Sequence, residues 1–436
     1  MQPAAVTLAD VLRARDERVA RQADFLRRYG WALISFTMNI PGPVKCDPDI
    51  ERAFMVGVEQ VRALLGKQHY DDHEAKIIVA PTGCEMLWAV DADPTALKRQ
   101  LMTIEDEHPL GRLFDMDVIT PEGKHISRRQ ERPCLICGQP VRACARSRAH
   151  SAEELFAKVK GIIADHFAKV HLLRIGVYAT EALLHEVLTT PKPGLVDKLD
   201  SGAHDDMDLQ TFLRSLEALA PYFEFCAHIG AEGADPLILQ QAGLNAERLM
   251  YKTVGVNTHK GAIFSMGILC CAAGAVGEGA SLDAVLNKAA SLGQCYLDQM
   301  KQSPPTDTGG GQQYLRYGLT GARGEAAAGF PSVRNISLPV LQAALAEGLS
   351  ENDAGVRALM SLIAHVQDSN VIRRAGMEGQ RWVSRQAQHI LERGCTEDDL
   401  RTLNEAFIKQ RISPGGCADL LAVTYFLHYL TTREVY

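Results

Sequence analysis

The chain has 436 residues, of which 46% are hydrophobic and 23% charged, and a formal net charge of -7. That length suits two domains, each able to bury its own core. The charge excludes a nucleic-acid scaffold, which needs a large Lys/Arg excess to neutralise phosphates.

The opening residues hold no apolar run of signal-peptide type, and the best apolar stretches, 261–276 and 420–430, are too short or interrupted to span a bilayer. The 11 cysteines are scattered. A cytoplasmic protein with reduced thiols and no membrane attachment is expected.

In chain order, Leu12, Val19 and Leu26 predict a helix over 8–29. Residues 31–37 read as a strand stopped by Pro41-Gly42-Pro43. Helix returns over 51–65. Residues 76–80 and 85–90 flank Pro81-Thr82-Gly83 as a hairpin. A helix over 94–102 follows, then a buried strand within 111–120 that enters a turn at Pro121-Glu122-Gly123. This half is therefore expected to be α+β. After about residue 165 the pattern changes to successive amphipathic stretches: 175–188, 209–229, 236–252, 261–276, 282–300, 333–348, 352–365, 379–393, 397–412 and 415–430. Hardly any strand alternation competes, so the second half is expected to be all-α. The predicted domains are 1–165 and 166–436, with no Pro/Gly linker between them.

The sharpest local feature is Gly111-Arg112-Leu113-Phe114-Asp115-Met116-Asp117. Side chains two apart on a strand share a face, so Asp115 and Asp117 would present paired carboxylates with Arg112 close by. Such a pair suits Mg²⁺ in phosphoryl or nucleotidyl transfer, because that metal takes few protein oxygens and leaves others to substrate phosphates. Two exposed acids on a strand are the plainer reading. Further on stand Cys134, Cys137, Cys144 and His150, among Arg142, Arg146 and Arg148. Three cysteines and a histidine could close a tetrahedral zinc site. The spacing matches no standard zinc module, however, and reduced cysteines beside a phosphate-binding arginine cluster are an equal alternative. Zinc is expected to be absent or dispensable.

In the helical half, polar groups collect at helix junctions. Residues 190–208 hold Lys192, Asp197, Asp200, His204, Asp206 and Asp208 in a loop kept open by Pro191, Pro193 and Ser201-Gly202. Asp206 or Asp208 could simply cap the next helix, but so many charges exceed what a cap requires. Gly255-Val256-Asn257-Thr258-His259-Lys260-Gly261 opens an apolar helix, where backbone N–H groups with His259 and Lys260 would suit a phosphate. Thr306-Asp307-Thr308 with Gly309 to Gly311 lacks the ending of a P-loop. Arg323 with Glu325, Asp368 with Arg374, and Ser413 to Asp419 complete the series.

Together these residues are recognisable. His108 to Asp117 and Cys144 to Ser151 resemble the citrate lyase holo-acyl-carrier-protein synthase family, an apo-citrate lyase phosphoribosyl-dephospho-CoA transferase. Pro193 to Asp197, Ser201 to His204, Asn257 to Gly261, Gly321 to Ala326 and Ser413 to Gly416 resemble triphosphoribosyl-dephospho-CoA synthase. The two resemblances cover nearly the whole chain in the order of the fused bifunctional form. Ala375 departs from an expected glycine, and Cys417 from an expected serine.

The resemblance implies a nucleotidyltransferase-type first domain and two consecutive reactions. ATP and 3′-dephospho-CoA would give 2′-(5″-triphosphoribosyl)-3′-dephospho-CoA and adenine. Phosphoribosyl-dephospho-CoA would then pass to a serine of the lyase's acyl carrier protein (its gamma subunit), releasing pyrophosphate. Substitution at a ribose C1′ needs a base for the attacking hydroxyl and stabilisation of oxocarbenium-like charge. The expected catalytic residues are Asp115, Asp117, Asp197, His204, Asp206, Glu325 and Asp368, with Mg²⁺ on Asp115, Asp117 and Asp206. The expected substrate-binding residues are Arg112, Arg146, Arg148, Lys192, Asn257, His259, Lys260, Arg323 and Arg374. The competing readings are the same chemistry serving malonate decarboxylase, and a non-catalytic zinc-stabilised helical scaffold.

Overall fold

The structure, a computed structural model, describes residues 4–72, 75–126, 128, 131–304 and 309–433. It divides into two compact units, one reaching to Phe167 and the other starting at Ala168.

The first unit opens with α1 (Leu8–Tyr29), whose Thr7 and Asp10 form a reciprocal capping box and whose end is set by left-handed Gly30. Then follow β1 (Ala32–Met38), α2 (Pro48–Gln68), β2 (Asp71–Asp72), β3 (Lys76–Ala80), β4 (Gly83–Asp91) and α3 (Pro94–Glu107). Asp47 and Asp93 cap α2 and α3, each followed by a proline at the first helical position. A 3₁₀ turn at Gly111–Leu113 leads into β5 (Phe114–Ile119), then β6 (His125–Ile126), α4 (Val141–Ser147) and α5 (Ala152–Leu188). The strands form an antiparallel sheet in the order β2-β4-β1-β5-β6, with β3 also on β4. The expected hairpin is β3–β4, and the strand carrying Asp115 and Asp117 lies where the pattern placed it.

Alternation sorts the two sheet faces. Ile34, Phe36, Met86, Trp88, Met116 and Val118 join Phe54, Val58 and Leu101 of α2 and α3 in one core. On the opposite face Leu33, Leu87, Ala89 and Ile119 pack with Phe25 of α1. The remaining positions of that second face are polar, and they form the site described below.

The change of unit falls inside α5, so the predicted boundary at 165/166 lies within a helix rather than a linker. Val159, Ile163 and Phe167 belong to the first core, and Leu172 and Ile175 begin the second.

The second unit continues with α6 (Leu209–Ala231), α7 (Pro236–Val254), α8 (Lys260–Val276), α9 (Leu282–Gln302), α10 (Gly309–Tyr317) and α11 (Gly321–Ala327). A π turn at Val333–Ser337 precedes α12 (Leu338–Ala346), α13 (Glu351–His365), α14 (Ser369–Glu392), α15 (Glu397–Lys409) and α16 (Gly415–Thr432). Among the described residues it holds no strand. Helices α8 and α16 are buried almost all round, which is why their sequences are apolar on every face. Among the described residues no helix is long and apolar enough to cross a membrane.

Candidate functional site

In the first unit the site is built by strand register. Thr37 of β1 pairs with Glu85 of β4 on one side and Asp115 of β5 on the other, and Ser35 pairs with Leu87 and Asp117. Glu85, Asp115 and Asp117 therefore share one sheet face. Helix α1 crosses this face and supplies counter-groups. Arg18 Nε donates to Glu85 at 2.8 Å, Arg21 reaches the other Glu85 oxygen at 2.5 Å, and Gln22 donates to Ser35 Oγ at 2.9 Å. Burial raises the Asp115 pKa, and the negative charges of Asp117 and Glu105 add to it. Arg132 and Lys98 offset part of that repulsion, and the paired carboxylate oxygens are of the type a hard cation takes.

The outer edge of β5 is closed by side chains. Buried Glu105 of α3 accepts the Met116 N–H at 2.8 Å, and buried Lys98 donates to the Met116 carbonyl at 2.7 Å. Lys98 also lies 3.7 Å from Asp117. Arg128 and Arg132 both pair with Glu105, at 2.7 and 2.6 Å, and Arg132 donates to the Phe114 carbonyl. Arg112 donates to the Pro133 carbonyl, and its pKa is lowered by burial and by Arg132 and Arg128. Three guanidinium groups thus gather by Glu105 and Asp106 at the start of β5, and Arg132 among them acts on Asp115. Arg112 was expected there. Arg146 on α4 and Arg148 at its end stand exposed. Their places beside β5 are taken by Arg128 and Arg132, which motif reading passed over.

In the second unit the polar groups come from helix ends. Glu186 closes α5 and is buried; Lys192 bonds its carboxylate and donates to its carbonyl at 2.7 Å. Asp419 of α16 presses so closely on Gly261 at the start of α8 that a Cβ there would lie 1.9 Å from its Oδ2. Only glycine permits that approach. The Asp419 pKa is raised well above the ordinary value by burial, then by Glu186 and Asp368. His259, beside Lys192, is buried, and burial pushes its pKa down to about 3. Its Nδ1 meets Ser215 Oγ at 2.9 Å and Thr258 Oγ1 at 3.1 Å, while Nε2 is buried with no hydrogen-bond partner. As a neutral imidazole it brings no charge to a phosphate.

Several expected site residues are already engaged in holding loops. Asp197 accepts the N–H groups of Lys192, Leu199 and Asp200. Asp368 caps α14 through Asn370 and Val371 and accepts the Cys417 N–H at 2.9 Å, joining the starts of α14 and α16. Glu325 accepts from Ser332 Oγ at 2.6 Å. Asn257 accepts the Lys260 N–H at 3.1 Å, and the Lys260 ammonium pairs with Glu247 at 2.8 Å. Glu247 also faces Arg323, whose guanidinium lies 5.7 Å from the Phe264 ring centre. Arg374 donates to the Ala203 and Arg411 carbonyls.

His204 meets Ser413 Oγ at 2.8 Å and lies 3.8 Å from Asp206. Burial, then Arg374, lowers its pKa. Asp206 itself is 61% exposed, whereas Asp208 is the helix cap of α6 and accepts from Thr211 N–H at 2.8 Å. Glu186 was missed as a site acid, its available signal being a lone acid at an apolar helix terminus, and Asp419 was singled out within Ser413 to Asp419 but given no role. The segment 305–308 with its Thr306-Asp307-Thr308 motif lies outside the described residues.

One expectation is revised. Cys134, Cys137, Cys144 and His150, judged by spacing to suit no metal module, have all four potential ligand atoms within 4.8 Å of one another.

A sheet face bearing acids and arginines, followed in the same chain by a buried acid cluster among helices, describes a transferase with two centres. Residues 6–166 match the apo-citrate lyase phosphoribosyl-dephospho-CoA transferase family, and residues 173–435 match the ATP:dephospho-CoA triphosphoribosyl transferase family. The chain belongs to both families, fused in one polypeptide. It is similar to Protein CitXG of Haemophilus influenzae, 33% identical over 97% of this chain and 96% of that one. Protein CitXG of Leuconostoc mesenteroides is 32% identical, over 97% of each. The 2-(5''-triphosphoribosyl)-3'-dephosphocoenzyme-A synthase of Pectobacterium atrosepticum is 39% identical over 63% of this chain and 95% of its own.

Proposed function

We infer that this protein both makes and attaches the citrate lyase prosthetic group, and that each unit performs one reaction. The observation that carries this reading is the pairing of the two matched families in one chain, shared with relatives along nearly the full length. The second unit joins ATP to 3′-dephospho-CoA: the 2′-hydroxyl oxygen bonds to C1′ of the ATP ribose, the C1′–N bond to adenine breaks, a protein base takes the hydroxyl proton, and a protein acid gives one to the departing adenine nitrogen. The first unit moves phosphoribosyl-dephospho-CoA onto a serine of the citrate lyase acyl carrier protein and releases pyrophosphate. The matched family's own description names apo-citrate lyase, which favours this partner over malonate decarboxylase.

For the first unit we assign nucleotidyltransferase chemistry to Asp115 and Asp117. Their carboxylates would hold Mg²⁺, which when bound supplies charge neutralisation on the triphosphate. Arg112 and Arg132 would face phosphate oxygens, and Lys98 holds Asp117 in place. For the second unit, Asp419 is the acid best suited to carry a proton at neutral pH, because its surroundings keep the carboxyl protonated far above the usual range. His204 with Ser413 stays neutral and can take a proton from a hydroxyl. Lys192, Lys260, Arg323 and Arg374 would line the path of the phosphates, while Asp197, Asp368 and Glu325 position the loops that carry them. The free state of all 11 cysteines fits a cytoplasmic setting.

Two assays test the reading: adenine release from ATP with dephospho-CoA, and labelling of apo-carrier by the triphosphoribosyl intermediate. Absence of both, from a folded chain supplied with Mg²⁺, would overturn it.

A further inference from the structure

The segment from Glu131 to His150 has almost no interior of its own. Among its twenty residues only Cys134 and Cys144 are buried. A segment so poor in apolar contact cannot offset the entropy of ordering its backbone and requires a staple. Its backbone is nonetheless closely specified. Pro133 bridges to Pro140, the Cys134 N–H donates to the Gln139 carbonyl at 2.7 Å, and the Gly138 N–H returns to the Cys134 carbonyl at 3.2 Å. Gly138 has φ +72°, a left-handed turn that favours glycine. This knuckle brings Cys137 beside Cys134 and points the Ile136 N–H at Cys134 Sγ, 3.5 Å away. An N–H aimed at sulfur suits a thiolate ligand.

The other two groups arrive from α4. Cys144 lies on its inner side with Sγ 3.5 Å from Cys134 Sγ. Arg148 ends the helix in a left-handed conformation, and the Ala149 N–H folds back to the Cys144 carbonyl, which delivers His150. His150 Nε2 is buried with no hydrogen-bond partner. All four ligand atoms lie within 4.8 Å of one another. Tetrahedral zinc with bonds of about 2.3 Å to sulfur sets its sulfurs about 3.8 Å apart, so the set is nearly assembled.

We propose that Cys134, Cys137, Cys144 and His150 bind a structural zinc ion that folds residues 131–150. Three thiolates and an imidazole select a soft divalent ion over Mg²⁺, and four protein ligands leave no open position for catalysis. The ion acts on the first centre through the chain that precedes it. Arg132 adjoins the knuckle and reaches Glu105 and Phe114, and Arg112 donates to the Pro133 carbonyl. Zinc thereby seats Arg132, which acts on Asp115, and Arg112 next to it.

The test is metal analysis of the full chain, produced with zinc in the medium and purified under reducing conditions without chelator. About one zinc per chain is expected, falling below about a tenth of that in Cys134→Ser and Cys137→Ser and retained in His150→Cys, whose new thiolate restores a fourth ligand. Backbone hydrogen exchange over 131–150 should rise in Cys137→Ser, with adenine release as the check that the second unit is folded. Because the first measurement uses the unaltered chain, a variant that fails to fold does not shield the proposal. It is overturned by less than about a tenth of a zinc in the unaltered chain, by iron in its place, by a full complement in Cys137→Ser, or by a Cys134–Cys144 disulfide.

Discussion

The two centres gather carboxylates by opposite means. In the first unit the acids stand on adjacent strands, pinned by register, and Asp117 is still 44% exposed. Arg132 and Lys98 offset part of the repulsion between them. In the second unit Glu186, Asp368 and Asp419 come from three helix termini, and burial lifts each carboxyl above its ordinary range. On the proposed reading Asp115 and Asp117 neutralise charge on phosphates and Asp419 holds a proton, while Asp368 spends its oxygens on the starts of α14 and α16.

Four tests, using five substitutions, would break or sharpen this contrast. The largest effect is expected from Asp419→Asn, which removes the carboxyl best able to hold a proton. Adenine release should fall roughly a hundredfold to ten-thousandfold, the span of general acid–base catalysis, while carrier labelling by pre-formed intermediate is unchanged. Normal adenine release from this variant would deny the acid cluster its role.

Next comes Asp115→Asn or Asp117→Asn. Either removes a charged ligand, so carrier labelling at saturating Mg²⁺ should drop roughly a hundredfold or more. Adenine release should not change. Near-normal labelling by both variants would leave the pair as surface acids.

The third, His259→Gln, concerns pH. The folded pKa of His259 is depressed to about 3 from 6.5, so the unfolded chain binds its proton first as pH falls. Stability due to the neutral buried ring is complete above about pH 6.5 and is lost progressively toward pH 3. The difference in melting temperature between His259→Gln and the unaltered chain should therefore shrink as pH is lowered from 7 to 4. A pH-independent difference would mean that this histidine does not titrate as a buried group.

The smallest change belongs to Asp208→Ala. Loss of the α6 cap should lower the melting temperature slightly with no change in the rate constant for adenine release. A large fall in rate would move Asp208 from helix cap to active participant.

Much of the first site was legible because strand alternation is a local rule: Asp115 and Asp117 share a face whatever else the chain does. Their neighbours were not, since Glu85 joins them only through β1, and Lys98 and Glu105 only through α3 packed beside β5. In the helical unit the polar loops were visible as clusters, but clustering along the chain does not distinguish Asp206, which faces solvent, from Asp197, whose oxygens are spent on backbone N–H groups. Asp419 stood in the Ser413 to Asp419 motif without a role, because its meaning depends on Gly261 pressing against it from α8. The gathering of the three cysteines and His150 was hidden for a similar reason, because Gly138 and Arg148 each turn the chain sharply and shorten distances that a residue count overstates.

The closed edge of β5 bears on how a protein partner can be recognised. A strand edge ordinarily offers its N–H and C=O groups to an incoming extended peptide. Here the Met116 N–H is given to Glu105, its carbonyl to Lys98, and the Phe114 carbonyl to Arg132, while Val118 and Ile119 pair with β6. A guest strand finds no rung left on this ladder. The serine-bearing segment of a carrier protein therefore cannot add to the sheet along β5.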